Sequence, residues 1–335
     1  MSSTGASTPV TTTRKPPLAA LVIGIPIAIA IGQLILVLLF AWPTTRSAPH
    51  NVDLSLSAPA AIAKPLQAGI EKAMPGAFNF TAVPDDAAAK ADVKDRTSYG
   101  GLSITELGAE VYTASAASAV VANVISQGLS AALHQAKPAL PVKVVDLVPS
   151  TPEDPNGLII IALIPLLITS LVAGGLISFL IKSWPAKLAS LGFFAIFSGL
   201  LATLAMQPML GGLSGGWFAN ALTLGLLCFA ISSAMVGLKA IAGLPGIAIG
   251  VIFIFFAGFP FSGALSAPVM VPEPWGAIAQ WFPAGAGNEA LKSVSFFDGA
   301  AAWGHLWILI GWSLVAVALT VIGTRLHSKD ESALA

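Results

Sequence analysis

Side chains able to do chemistry are sparse in this sequence and fall into no catalytic spacing. The four histidines, His50, His134, His305 and His327, stand too far apart to match a zinc-ligand pattern. The single cysteine, Cys228, lies inside an apolar run, so neither a disulfide framework nor a cysteine-built zinc site can form within the chain. No G-x-x-x-x-G-K-[ST] loop occurs, and any ATP hydrolysis must be borrowed from a separate subunit. The sequence therefore predicts no enzyme, no metal and no cofactor. One stretch does place polar groups where they are unusual: "WGAIAQWFPAGAGNEALKSVSFF", residues 275–297, sits between two apolar runs. It is too polar and broken to cross a membrane, yet too apolar for an ordinary loop. Trp275, Ile278 and Phe282 fall on one helical face. After "PAGAG", Asn288 suits a helix N-cap and Glu289 its first turn, while Leu291, Val294 and Phe297 form a second apolar stripe ended by Asp298-Gly299. The spacing predicts two short amphipathic helices that interrupt one leaflet of a bilayer. A surface-lying connecting loop fits the periodicity equally well.

The elements that must hold this stretch are membrane spans. Of 335 residues, 56% are hydrophobic and 10% charged, against roughly 25% charged in a soluble domain. Mean hydropathy is +0.84. The zero formal net charge gives no field to attract nucleic acid. After a polar lead at 1–17, expected to be disordered and cytoplasmic, residues 18–42 run without a charge for the length of a tilted span. That run exceeds a signal-peptide core and is not followed by a clean cleavage site, so an uncleaved anchor is expected. Five further spans are predicted at about 157–181, 188–206, 217–238, 241–265 and 304–324, followed by a tail at 325–335. Arg14, Lys15, Lys182, Lys187, Lys239, Arg325 and Lys329 all fall on one side of such a six-span bundle. The positive-inside rule then places both termini in the cytoplasm and residues 43–156 outside the plasma membrane.

Residues 43–156 have a different composition and hold eleven of the sixteen acidic residues. "NVDLSLS" and "AFNFTAV" alternate like strands, and 59–73 and 114–136 read as alanine-rich helices. "YGGLSIT" and "AEVYTAS" read as a hairpin, with "PVKVVDLVP" as a last strand. The order β-α-β-(short α)-β-β-α-β predicts an extracytoplasmic α+β domain of ferredoxin-like type.

No ionisable residue lies deep in a span, His305 being at a span mouth, which argues against a proton-coupled carrier. Small residues are common instead. Gly174, Gly175, Gly246 and Gly250 are expected where helices pack closely, either within one bundle or at a dimer seam.

A single span, an α/β domain, then five spans with a broken helical segment before the last one resembles the ABC-2 type permease superfamily, and within it the YhgE/Pip-like branch. Two stretches carry the resemblance: "PEPWGAIAQWFPAGAGNEALKSVSFFDG", and "DVKDRTSYGGLSI" with the following "VYTASAAS". It implies a dimeric or heterodimeric permease that moves a hydrophobic or amphiphilic substrate outward, in contact with membrane lipid and with a possible separate ATP-binding subunit. It assigns Trp281, Pro283, Glu289, Leu291, Lys292, Phe297 and Gly299 to a re-entrant hairpin, and matches Arg96, Tyr99 and Gly100 to an external-domain motif. Read from the residues alone, Arg96 to Gly100 is simply a turn entering a strand, with Arg96 on the domain surface and Gly100 there for backbone freedom. One feature departs from the family: its ATPase-coupling helix would belong in the loop 182–187, which is only "KSWPAK". A non-transporting scaffold or envelope receptor acting through the external domain is the competing expectation.

Overall fold

The computed structural model describes residues 18–105, 108–136 and 140–333. Contacts divide the chain into two compact units, Met1–Trp42 and Pro43–Ala335. The polar lead at 1–17 and the side chains of the tail beyond 326 lie outside the described residues. Helix α1 (Leu18–Thr45) runs for 28 residues without a charge, a length of about 42 Å at 1.5 Å per residue.

The second unit begins with the α+β domain, in the element order the sequence predicts: β1 (Val52–Ser57), α2 (Ala60–Ala73), β2 (Phe78–Ala82), α3 (Asp86–Lys94), β3 (Gly100–Ile104), β4 (Ala109–Thr113), α4 (Ala119–Ala136) and β5 (Val142–Asp146). The start of α3 shows why these residues turn where they do. Asp85 caps it, its carboxylate accepting from the Ala88 amide at 2.8 Å, and Asp86 follows in the positive first turn.

The pairing is not the ferredoxin-like one. The strands lie in the order β2-β1-β3-β4-β5, and only β3–β4 is antiparallel. Two successive helix-linked crossovers, β1-α2-β2 and β2-α3-β3, put β2 and β3 on either side of β1 in the same direction. One face of the sheet buries Leu54, Leu56, Leu102 and Val111 against Leu66, Ile70, Ile125 and Leu129 of α2 and α4. The other face packs Ala89, Val93 and Tyr112 together with Phe297, a residue from the far end of the chain.

Beyond the domain come α5 (Leu163–Leu180), α6 (Trp184–Leu204), α7 (Trp217–Ala242), α8 (Leu244–Gly250), α9 (Trp275–Ala279), α10 (Pro283–Phe296) and α11 (Ala302–Ala333). Four stretches, Leu158–Leu180, Trp184–Met209, Trp217–Ala242 and Ala302–Leu326, are long and apolar enough to cross a bilayer, which marks a membrane-embedded protein. Helix α7 is the hub: it is mostly buried, with α5, α6, α10 and α11 packed around it, while the other three long helices expose most of their apolar surface. Close approach explains three of the four expected packing glycines. A side chain at Gly174 would strike Ser232 O of α7, one at Gly246 would strike Leu238 O, and one at Gly250 would meet Met235 Sδ. Gly175 has open space and packs against nothing.

The span expected over 241–265 is shorter than predicted. Gly243 (φ 64°) ends α7, and Pro245 starts α8 afresh; α8 continues through a π-helical turn only to Ala257. Gly258 and Pro260 then break the run. Its fourteen residues reach about 21 Å at 1.5 Å each, short of the roughly 30 Å hydrocarbon core. The chain after this break returns to the α+β domain: Ala267 and Met270 join its core, and the amides of Ala48 and His50 donate to Met270 O and Val269 O at 3.1 and 3.0 Å.

The basic residues of the helix ends gather at one pole of the bundle. Lys239 Nζ donates to Ser178 O at 2.9 Å and lies 3.3 Å from the Phe179 ring centroid, and the Arg325 guanidinium sits 5.6 Å from that of Trp184. Helices α5 and α6 are joined by residues 181–183 alone, a tighter connection than the sequence predicts.

Candidate functional site

Helix α10 is the structural answer to the stretch at 275–297. Twelve of its fourteen residues are buried, which excludes a surface-lying loop. Its start also differs from expectation. Phe282 is the N-cap and Pro283 takes the first helical position, where its fixed φ is preorganised and its missing N–H costs nothing. Asn288 and Glu289 are therefore buried in mid-helix instead of capping it. The glycines of "PAGAG" do not break the helix because tight contacts require them. Side chains at Gly285 and Gly287 would collide with Ala279 O of α9 and with Leu227 of α7.

Glu289 lies at the centre of a buried charge cluster. Arg96, 193 residues away, donates to Glu289 Oε2 at 2.5 Å, to the Glu289 carbonyl at 3.0 Å and to Ser293 Oγ at 2.5 Å. Its guanidinium also lies 5.0 Å from the Phe297 ring centroid. Asn288 Nδ2 donates to Glu289 Oε1 at 2.9 Å, and Lys292 Nζ reaches the same oxygen at 3.4 Å. The side chains of Arg96, Glu289 and Lys292 are 10%, 6% and 5% exposed, so bulk water solvates none of them well. Burial works to raise the Glu289 carboxyl, but the charges of Lys292 and Arg96 overcome it and hold it down at about 2. Burial draws the Lys292 ammonium below the usual lysine range, with Glu289 opposing. Burial and the Glu289 charge push the Tyr99 phenol up, so it remains a donor.

Arg96 is thus not a domain-surface residue but the link between the domain and helix α10, and its backbone explains how. It follows the last turn of α3 with φ 59°, in the left-handed region normally given to glycine. An arginine pays about 1 kcal/mol or more for that conformation. The kink is fastened by the Thr97 and Ser98 amides donating to Asp92 O at 2.9 and 3.2 Å. Gly100 is required by crowding, not by backbone freedom: its φ is ordinary, and a Cβ would lie 2.8 Å from Tyr112 O and 2.9 Å from Ile125 Cδ1.

The remaining hairpin residues divide by role. Leu291 is fully buried and Phe297 fills the second core of the α+β domain. Gly299 (φ 85°) closes α10, its amide donating to Ser293 O at 2.9 Å. Trp281 is 71% exposed, with its carbonyl accepting from Trp312 Nε1 at 2.8 Å.

A cavity of about 220 Å³ adjoins the cluster, lined by Arg96, Ser98, Tyr99, Gln280, Glu289, Phe297 and His305 among others. Ser98, Gln280 and His305 carry no distinctive sequence signal, and only folding brings them to Arg96. A second polar knot holds the other end of α10. Ser295 Oγ donates to Asn220 Oδ1 at 2.9 Å, Asn220 Nδ2 donates to Gln207 Oε1 and Ser214 O, and Ser214 Oγ donates to Ser295 O. No group of metal-ligating side chains occurs among the described residues. Comparison with protein-family models, with curated proteins and with solved structures gives no match.

Proposed function

We propose that this chain is a permease-like membrane subunit of the ABC-2 type, moving a hydrophobic or amphiphilic substrate outward as part of a dimer. The observation that carries the reading is the Arg96–Glu289 pair. Charges placed in or beside a bilayer are costly and characteristically serve function, and this pair ties the buried helix α10 to a folded domain 193 residues distant. A domain that grips the hairpin can transmit its own movement to α7 and α11, on which α10 packs. The proposed topology has six crossings, with 244–257 the short fifth one. The α+β domain lies outside and both termini in the cytoplasm, because the basic pole is opposite the end of α11 that carries His305.

The test is export by Glu289→Gln and Trp281→Ala variants at matched membrane levels. Export should fall at least about tenfold in the first; normal export by well-expressed variants sinks the reading. The three-residue join at 181–183 favours one alternative, a scaffold or receptor with no ATPase. Purification from native membranes decides between them: stoichiometric recovery of a Walker-motif ATPase supports the exporter, and recovery without one supports the scaffold.

A further inference from the structure

The cavity beside Arg96 and Glu289 has a donor and acceptor inventory that selects a ligand class. Its lining carries one guanidinium and one carboxylate, with the Lys292 ammonium on the far oxygen of that carboxylate, so the ligand class is decided by the unpartnered donors and acceptors and not by charge balance. Gln280 Nε2 donates to Ser262 O at 3.0 Å and Gly276 O at 3.2 Å, which fixes the amide orientation and leaves Oε1 as an acceptor without a partner among the described residues. Ser98 Oγ and His305 Nδ1 are also buried without partners there, and Ser98 is 9% exposed. Three of the five N–H groups of Arg96 are accounted for by Glu289 and Ser293, leaving two. Tyr99 adds a phenolic donor to the lining. The wall therefore needs donors for Gln280 and acceptors for Arg96 and Tyr99 within one small space. Hydroxyl groups supply both at every position, whereas an ionised phosphate or carboxylate has no proton to give to the Gln280 carbonyl oxygen. At about 220 Å³, the space far exceeds the roughly 10–15 Å³ that one water needs and falls below the 300–1,000 Å³ of drug-sized pockets.

We propose that this cavity binds an uncharged polyhydroxyl group of about one sugar ring, either a free glycoside or the headgroup of a glycolipid. The inference rests on reading the domain–hairpin junction as a functional site, but not on transport. The full chain, purified in a detergent without a sugar headgroup, is titrated with radiolabelled methyl glucoside. It is then reconstituted with glucosyl-diacylglycerol or with phosphatidylcholine, and retained lipid is measured. Saturable binding of glucoside, or selective retention of the glycolipid, is expected. Ser98→Ala, which removes a hydroxyl with no internal partner, should weaken binding several-fold at unchanged thermal stability; Gln280→Leu should weaken it by tenfold or more. Glucoside binding identifies a free-glycan site, and retention of the glycolipid alone identifies a headgroup site. Binding of neither, equal retention of phosphatidylcholine, preference for glycerol phosphate over glucoside, or unaltered binding in both variants overturns the proposal. Export lost in Glu289→Gln while glucoside binding is absent would leave the junction functional but this ligand assignment wrong. Binding with normal export would do the reverse.

Discussion

The two poles of the helical bundle both hold cations, but they hold them in opposite ways. At the pole away from the α+β domain, Lys239 is held by a backbone carbonyl and the face of Phe179, and Arg325 lies over Trp184. At the domain pole, Arg96 and Lys292 share the carboxylate of Glu289 beneath the domain. A long basic side chain at a membrane edge can snorkel toward water or lipid headgroups, so it needs no dedicated partner. A carboxylate sealed under a folded domain has no such escape and must be met by a cation from the chain itself. The first arrangement fastens one helix end to the carbonyl and rings of its neighbours. The second makes the position of α10 depend on the position of the domain.

The strongest way to break this contrast is to remove Arg96. Breaking a buried pair by deleting one partner costs up to about 3–5 kcal/mol, and without Arg96 the Glu289 carboxylate keeps only the longer contact to Lys292 and the Asn288 amide. Arg96→Met should therefore lower the thermal midpoint of the detergent-solubilised protein far more than Lys239→Met. Combining Arg96→Met with Glu289→Leu and Lys292→Met should recover much of the loss, because no stranded charge then remains, whereas the Arg96→Met, Glu289→Leu pair alone leaves the Lys292 ammonium buried without its carboxylate. Equal effects at Arg96 and Lys239 would mean that the two poles are energetically alike. Phe297→Ala is expected next, at about 3 kcal/mol, since it empties a buried aromatic from the core where the hairpin meets the sheet. Limited proteolysis of the α+β domain should speed up in parallel, because the same ring stacks with Arg96.

Acid separates the poles in a different way. The Glu289 carboxyl is lowered in the folded protein, so its contribution to stability is complete above the ordinary glutamate range, near 4.5, and is lost as pH falls toward about 2. Wild-type protein should lose stability across that window, relative to neutral pH, more steeply than Glu289→Gln. Thermal melts of both proteins at matched ionic strength test this, and superimposable pH profiles would contradict it.

Much of the fold could be read from the sequence because its signals are local. Five of the six long apolar runs form helices near their predicted positions, α1, α5, α6, α7 and α11, and the α+β element order follows from alternation and alanine-rich periodicity. The strand pairing could not be read, because nothing in "NVDLSLS" says whether its neighbours run parallel or antiparallel. The fifth span misled because hydropathy continues through Phe253–Phe256, and only the breaks at Gly258 and Pro260 halt the helix. The charge cluster was half legible: Glu289, Lys292, Phe297, Arg96 and Tyr99 all stand in the stretches that carry the family resemblance. What the sequence lacked was the join. A contact across 193 residues leaves no periodic trace, and the left-handed backbone of Arg96 that aims it at α10 is unusual for arginine. Glu289 and Lys292, three residues apart, could have been read as an ion pair on one helical face. The capping propensity of Asn288 points to a helix start there, but Pro283 supplies the start instead, which puts Glu289 and Lys292 in mid-helix.

The smallest predicted effect sharpens the comparison from the basic pole. Lys239→Gln removes a cation–π contact and one hydrogen bond to a carbonyl, together worth about 1 kcal/mol or less at a wet membrane edge. Its melting temperature should barely move, even though Lys239 and Arg96 each engage both a carbonyl and an aromatic ring. The difference lies in what each leaves behind. Without Lys239, Ser178 O keeps its helix-end access to other donors, whereas without Arg96 a buried carboxylate keeps its charge. If the basic pole acts through orientation, the consequence appears only when several of its charges are removed together. A Cys228→Ala chain carrying Asn79→Cys places a single thiol on β2 of the α+β domain. Changing Lys182, Lys187 and Lys239 together to glutamine should then make part of that thiol inaccessible to a membrane-impermeant maleimide in intact cells. Full labelling would show that these lysines do not set the topology.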